Sequence, residues 1–336
     1  MVWLHTPRKR QEINMKKSLI AVAAALAFAS SASWAQQVLR LSHNAAPGNP
    51  KAEASLKFAQ LVAEKTAGRV KIEVGGNAQF GDDAESLTNM RLGTLAFSTN
   101  SQGATSGVVP QFSVIGLPFL FRDLNHAYKV VDGPIGEKLN ELAKAKGLVV
   151  LALWDNGIRH TSNNKRPIVK PEDLAGIKVR TPPDPITLDI FKALGANPGP
   201  LAFSELYIAL QQGVFDGQEN PLMNIYSSKV YEVQKYISLT GHKYETTPLL
   251  ASKMIWDTIK PADQQAIREA AIEAGKFNRQ MSLAADADLR KKLTDAGVKI
   301  NEVDQAAFAA KTKTVYDKWA KQYPDLVKLI VTEAAK

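Results

Sequence analysis

The side chains best placed for chemistry are two arginines. Arg159 follows Asn156-Gly157-Ile158 just beyond the apolar run Leu148 to Trp154, and Arg180 closes Ile177-Lys178-Val179. Both runs read as strands, and ligand crevices in α/β sheets form at strand ends. A guanidinium there can grip a carboxylate through two parallel charged hydrogen bonds; the plainer alternative is a structural or surface salt bridge. Little else in the chain could react. The absence of cysteine removes thiolate nucleophiles, disulfides and thiolate metal sites together. His5, His43, His126, His160 and His242 stand alone, with no HxxxH or HExxH pair. The sequence has no nucleophile elbow, no P-loop and no dinucleotide-binding glycine motif after a strand. Asp82-Asp83 could serve as an acid–base or metal pair, but Gly81-Asp82-Asp83-Ala84-Glu85 has the form of a helix cap with an acid three residues on, and capping is the better account. With no nucleophile, base and orienting group in view, the sequence predicts a binding protein rather than an enzyme, with no metal or cofactor.

The elements that would carry these arginines alternate between strand and helix patterns, which argues for βαβ units and a mostly parallel sheet. Val38 to Leu41 is a short strand; Ala54, Phe58, Leu61 and Val62 then recur at helical spacing, and Val70, Ile72 and Val74 alternate as a strand. A helix opens at Asp82 and stops near Gly93, and Leu95 to Ser98 is another strand. Further on come a helix from Ile135 to Lys146, the strands Leu148 to Trp154 and Ile177 to Arg180, and helices from Ile186 to Leu194 and Ser204 to Gln212. Pro261 to about Ala296 lacks internal proline and is broken only by Gly275, where a kink is expected; its ~36 residues would span ~54 Å, longer than a small domain, so the helix should run along more than one lobe. A last amphipathic helix covers about Gln305 to Val331, interrupted near Pro324.

Length and composition fit this picture. At roughly 150 residues per domain, 336 residues predict about two domains, and 45% hydrophobic with 22% charged residues is ordinary for a soluble α/β protein. Of the formal charge of +9, much lies in the first 35 residues, where five basic residues face one acid; the remaining 37 basic and 32 acidic residues are interspersed, so nucleic acid is not an expected partner. Met15-Lys16-Lys17, the apolar run Leu19 to Ala29 and Ser33-Trp34-Ala35 form a secretory signal, with Met15 the natural start and cleavage after Ala35. The apolar run falls short of the ~20 residues needed to span a bilayer. The mature protein is therefore expected to be soluble outside the cytoplasm.

Three motifs carry a family resemblance: Gln79-Phe80-Gly81-Asp82-Asp83, Pro171-Glu172-Asp173-Leu174-Ala175-Gly176-Ile177-Lys178-Val179-Arg180-Thr181-Pro182, and Leu201 to Gln211 followed by Asp216-Gly217-Gln218-Glu219-Asn220-Pro221. In order and spacing the chain resembles the solute-binding proteins of tripartite ATP-independent periplasmic (TRAP) transporters. The resemblance implies an α/β, two-lobed periplasmic-binding-protein-like fold with a hinge, a ligand cleft between the lobes and a long lobe-spanning helix. Residues 36–157 with about 246–286 would form lobe I, and 158–245 with about 287–336 lobe II. It also implies an organic-acid ligand, a TRAP membrane permease as partner, and Arg180 as the arginine that pairs with the ligand carboxylate. Arg159, Asn220, Phe203, Asn44 and Asp82 match further site positions. Where sialic-acid-binding members carry a glutamate and an arginine, this chain has Ser101 and Ala104. Ser101, Gln102 and Asn156 instead offer neutral partners, with Asn100 nearby, and suit a polyhydroxylated acid such as a hexuronate or aldonate. A C4-dicarboxylate or 2-oxo acid, or service to a sensor kinase, is the alternative. Both arginines are expected to face the cleft, so folding should survive their removal.

Overall fold

Two long antiparallel strands organise the sheet. The computed structural model describes residues 36–336, the side chains of residues 286 and 287 excepted; the export signal read over residues 15–35 lies outside the described residues. The strands are β1 Gln37–Ser42, β2 Val70–Gly75, β3 Phe97–Thr99, β4 Leu148–Asn163, β5 Lys178–Thr181, β6 Asn197–Pro200, β7 Gly217–Asn220, β8 Tyr236–Ser252 and β9 Lys299–Asn301. They form one sheet in the order β2-β1-β3-β8-β4-β7-β5-β6, with β9 also on β8. The parallel pair β1 and β3 attaches to β8 at Leu249 to Ala251, while β7 attaches to β4 at His160 to Asn163 and continues in parallel to β5 and β6. The two half-sheets thus hang on opposite ends of the β4–β8 ribbon.

That ribbon joins the two halves and is irregular along its length. Its register shifts between Val150 and Ala152, Asp155 and Gly157, and Arg159 and Thr161, and each such bulge bends and twists a strand. Gly157 sits at φ 119°, where a Cβ would lie 3.1 Å from Pro221 Cβ, so this bend requires glycine. The expected strand Leu148 to Trp154 therefore continues nine residues further, and its partner β8 had no reading in the sequence at all. Both extensions are polar and resemble loops until their buried partners are known.

Helices cover the sheet: α1 Pro50–Lys65, α2 Asp83–Arg91, α3 Gln102–Ser106, α4 Leu124–Val131, α5 Pro134–Lys144, α6 Pro185–Ala193, α7 Leu206–Gln211, α8 Leu222–Ser227, α9 Lys253–Trp256, α10 Pro261–Asp295, α11 Gln305–Lys311, α12 Lys313–Gln322 and α13 Pro324–Ala334. The helix α10 is continuous over 35 residues, ~52 Å. Its first half packs into a core with Leu41, Phe58, Ile72 and Trp154; its last turns, at Leu289 and Leu293, pack into a second core with Leu206, Ile225 and Ile237. Gly275 does not break it. A Cβ there would stand 2.7 Å from Trp154 Cδ1, so glycine lets the indole lie against the helix and donate from Nε1 to the Ala271 carbonyl at 2.9 Å. The terminal helix expected from Gln305 to Val331 is three helices. Besides Pro324, Thr312 breaks it, turning its hydroxyl back onto the carbonyls of Phe308 and Ala309. Among the described residues no helix is long and apolar enough to cross a membrane.

Candidate functional site

A cavity of about 410 Å³ opens between the two half-sheets, within the range of about 300–1,000 Å³ usual for small-molecule sites. Arg180 projects from β5 into its wall. Its side chain is only 2% exposed, yet both its hydrogen bonds go to one neutral acceptor, the Leu201 carbonyl, at 3.0 Å from Nε and 2.6 Å from Nη2. No carboxylate of the described residues lies within 4.0 Å of it. Burial, reinforced by the Arg159 cation against the pull of Glu219, lowers its pKa to about 10. The guanidinium is still charged at neutral pH. Phe203 stands over it, ring centroid 5.9 Å from Cζ, close enough for a cation–π contact.

Arg159 is arranged in the opposite way. On β4 it is held by two fully buried acids: Nε and Nη2 donate to the Glu219 carboxylate and Nη1 to Glu245, while Nη2 also reaches the Glu219 carbonyl at 2.7 Å and Asn220 Oδ1 at 3.2 Å. Burial alone would raise the Glu219 pKa; Arg159, His242 and Lys243 overcome it and hold the carboxyl well below the ordinary range. Burial keeps His242 neutral. Because Glu219 only accepts, the His242 proton must sit on Nε2, 3.1 Å from the carboxylate, leaving Nδ1 to accept from Thr240. Arg159 lines the cavity, but its charge is thus already spent on β7 and β8.

The neighbouring amides form one network. Asn224 Nδ2 donates to both Asn156 Oδ1 and Asn220 Oδ1, at 3.1 Å each, and Asn156 Nδ2 donates to Glu245. Asn49 reaches across from the cap of α1 to Asn224 Oδ1 at 2.9 Å and Ser227 at 3.1 Å. Asp82 makes a second crossing. It caps α2 through Asp83 N, accepts from Asn44 Nδ2 at 2.7 Å, and accepts from the Ser204 hydroxyl and amide at 2.7 and 3.1 Å. Burial opposes its ionisation, but those bonds from Ser204 and Asn44 keep its pKa below the usual value. The two crossings tie the half-sheets together.

Of the nine residues expected at the site, Arg180, Arg159, Asn220, Phe203, Asn44, Asp82, Ser101 and Asn156 line this cavity; Gln102 does not. Gln102 is fully buried and accepts from the Thr246 amide and hydroxyl, bracing α3 against β8. Its neighbour Asn100 is buried as well and also lies off the cavity wall. Ser101 lines the wall but caps α3 and gives its hydroxyl to Asp83 at 2.7 Å. Sequence reasoning missed Asn49, Lys51, Asn224 and Glu245. The signals were faint: Asn49-Pro50 opens the first helix, Asn224 stands one turn after Asn220, and Glu245 is an acid between apolar runs. A larger cavity, about 630 Å³, shares Asn49, Asn156 and Asn224 with the first but contains neither Arg180 nor Arg159.

The family model of the bacterial extracellular solute-binding proteins, family 7, matches residues 41–322. An uncharacterized protein of Sinorhizobium fredii is 48% identical over 92% of this chain, which spans 58% of that protein's length. The 2,3-diketo-L-gulonate-binding periplasmic protein of Escherichia coli K12 is 35% identical over 91% of this chain and 95% of its own. Among solved structures, a TRAP periplasmic solute-binding protein of Polaromonas sp. JS666 bound to D-erythronate superposes with a TM-score of 0.86 at 35% identity, covering 88% of this chain and 98% of that one. One from Sulfurospirillum deleyianum with bound succinate gives 0.84 at 35% identity, covering 88% and 98%. The two-lobed α/β architecture expected from the sequence is therefore present, and the chain belongs to the bacterial extracellular solute-binding protein family 7.

Proposed function

We propose that this protein captures a sugar acid in the periplasm, pairing the ligand carboxylate with Arg180, and delivers it to a TRAP permease without chemical turnover. The observation that carries the reading is the contrast between two buried arginines: Arg159 is neutralised by Glu219 and Glu245, whereas Arg180 has only the Leu201 carbonyl. A buried cation without a counter-charge is costly, and a carboxylate entering the cavity supplies one. Asn156, Asn220 and Asn224, which line the same cavity, suit hydroxyl groups. The relatives with bound or named 2,3-diketo-L-gulonate and D-erythronate support a sugar acid; the succinate-bound relative keeps a C4-dicarboxylate as the second reading.

In this reading the lobes are residues 36–157 with about 246–286 and 158–245 with about 287–336, joined at the bulged ribbon, and the protein works as a monomer. Ligand contacts from both lobes favour the closed form by their differential affinity. The chain is exported with cleavage after Ala35; N-terminal sequencing of periplasmic material beginning at Gln36 supports this, and retention of residues 19–29 in membranes refutes it. Calorimetry of residues 36–336 against D-erythronate, D-galactonate, D-glucuronate and succinate tests the ligand class. Binding of an aldonate or uronate is expected, with no turnover of the bound acid. Tight succinate binding with no sugar acid bound overturns it.

A further inference from the structure

We propose that Lys51 is a second ligand-reading group, which selects acids carrying a hydroxyl at the end remote from the carboxylate; this rests on the sugar-acid reading above. Lys51 is the second residue of α1 and lines the cavity on the wall opposite Arg180, since α1 packs on the β1–β2 half and Arg180 belongs to β5. It is 6% exposed. Its ammonium makes one hydrogen bond, to Asn44 Oδ1 at 2.9 Å, and enters no ion pair within 4.0 Å among the described residues. Because Asn44 Nδ2 donates to Asp82, the orientation of that amide is fixed and its oxygen must face the ammonium. An ammonium has three N–H donors, so two remain for a ligand, and a buried donor left unpaired is costly.

The chemistry of that wall decides which acceptor fits. The Lys51 charge reaches Asp83 and helps to offset the burial that raises the Asp83 pKa, while Asp82 accepts from the same Asn44 amide whose oxygen holds the ammonium. A second carboxylate placed there would compete with Asp83 for the Lys51 charge. A hydroxyl would not: it accepts from the ammonium without adding charge. Arg180 and Lys51 thus measure the acid from carboxylate to far hydroxyl, excluding monoacids with an apolar tail as well as diacids.

The test is calorimetric titration of the parent protein and of Lys51→Met with D-erythronate and with 2,3-dihydroxybutanoate of the same configuration, which lacks only the remote hydroxyl. Hydrogen bonds to charged groups contribute enough for a loss of roughly 10- to 100-fold. The parent should favour D-erythronate by that factor. Lys51→Met should lose it for D-erythronate, change 2,3-dihydroxybutanoate by less than threefold, and so bind the two alike. Equal losses for both acids, or no loss for either, overturn the role of Lys51 while leaving the sugar-acid reading intact. Failure of the parent to bind D-erythronate, D-galactonate or D-glucuronate overturns both. Should Lys51→Met fail to fold by circular dichroism, Lys51→Gln replaces it in the same titrations with the same expected outcome.

Discussion

Replacing Arg159 by alanine should damage the fold more than the binding site. The change leaves Glu219 and Glu245, both fully buried, facing each other without their shared cation. Removing one partner of a buried ion pair costs ~3–5 kcal/mol. For a domain of some 300 residues, with an unfolding entropy of ~2.1 cal/mol/K per residue, this corresponds to a fall in Tm of roughly 5–8 °C. The pH dependence supplies a second readout. In the parent, Glu219 has a folded pKa below its unfolded value, so its contribution is present above the usual carboxylate range and is lost as pH falls through the folded value. In Arg159→Ala the same carboxyl, now without its cation, is pushed up by burial, so acid relieves the defect. Thermal melts at pH 7 and pH 4 should show a wide gap between parent and variant at pH 7 that narrows at pH 4. A gap under 2 °C at pH 7, or one that widens in acid, would refute this account of the Arg159 cluster.

Asp155, buried in the bulge of β4, offers a related prediction. Burial raises its pKa to about 6, and the nearby Ser282, Tyr244 and Arg279 only partly offset this; neither carboxylate oxygen has a hydrogen bond of good geometry among the described residues. A carboxyl raised above its unfolded value costs stability progressively as pH rises from about 4 to about 6, on the order of 2–3 kcal/mol in full. Asp155→Asn should therefore raise the Tm at pH 7.5 and lose that advantage by pH 4; a variant equally or less stable at pH 7.5 counts against the desolvated carboxyl. Ser204→Ala removes the 2.7 Å hydroxyl bond to Asp82 that crosses between the half-sheets while keeping the amide bond. A several-fold weaker affinity for D-erythronate is expected, since a charged hydrogen bond is worth about 1.5–3 kcal/mol when fully formed; unchanged affinity would mean that this contact does not hold the closed form. Gly275→Val should lower the Tm by several degrees, because its side chain would invade the Trp154 ring, and a melt within 1 °C of the parent would show that α10 can shift away.

What the sequence revealed followed how local the determining interactions are. The long extent of α10 and the stop at Pro324 rest on proline placement within a few residues and could be read directly, whereas Gly275, read as a break, leaves the helix continuous because it makes room for Trp154. The strand bearing Arg180 was visible because an apolar run precedes it, whereas Arg159, read as lying just past a strand end, sits inside β4. The polar half of β4 was not visible. Asp155 to Asn163 looks like a loop until Arg159 meets Glu219, Thr161 meets Thr240 and Ser162 meets Gln234, partners 60 to 79 residues away. The same holds for His242, Lys243 and Glu245 on β8, charged residues tolerated at the sheet centre because Glu219, Asp184 and Arg159 meet them there. Lys51 reads as an exposed helix residue, and only the packing of α1 against the cavity shows it to be buried. Asp82 looked like a helix cap and is one, but it also lines the cavity, with its second oxygen held by Ser204.

The central claim is that Arg180 receives the ligand carboxylate. Its most direct test is calorimetric titration of Arg180→Ala and Arg180→Lys, each shown to be folded by its melt, with the tightest-binding of D-erythronate, D-galactonate and D-glucuronate. Loss of a buried pairing cation costs ~3–5 kcal/mol, so Arg180→Ala should bind roughly 10²- to 10³-fold more weakly or worse. Arg180→Lys, which keeps the charge but loses the planar fork, should also bind poorly. Binding by folded Arg180→Ala within threefold of the parent would contradict the claim and leave Arg180 as a structural anchor for the Leu201 carbonyl.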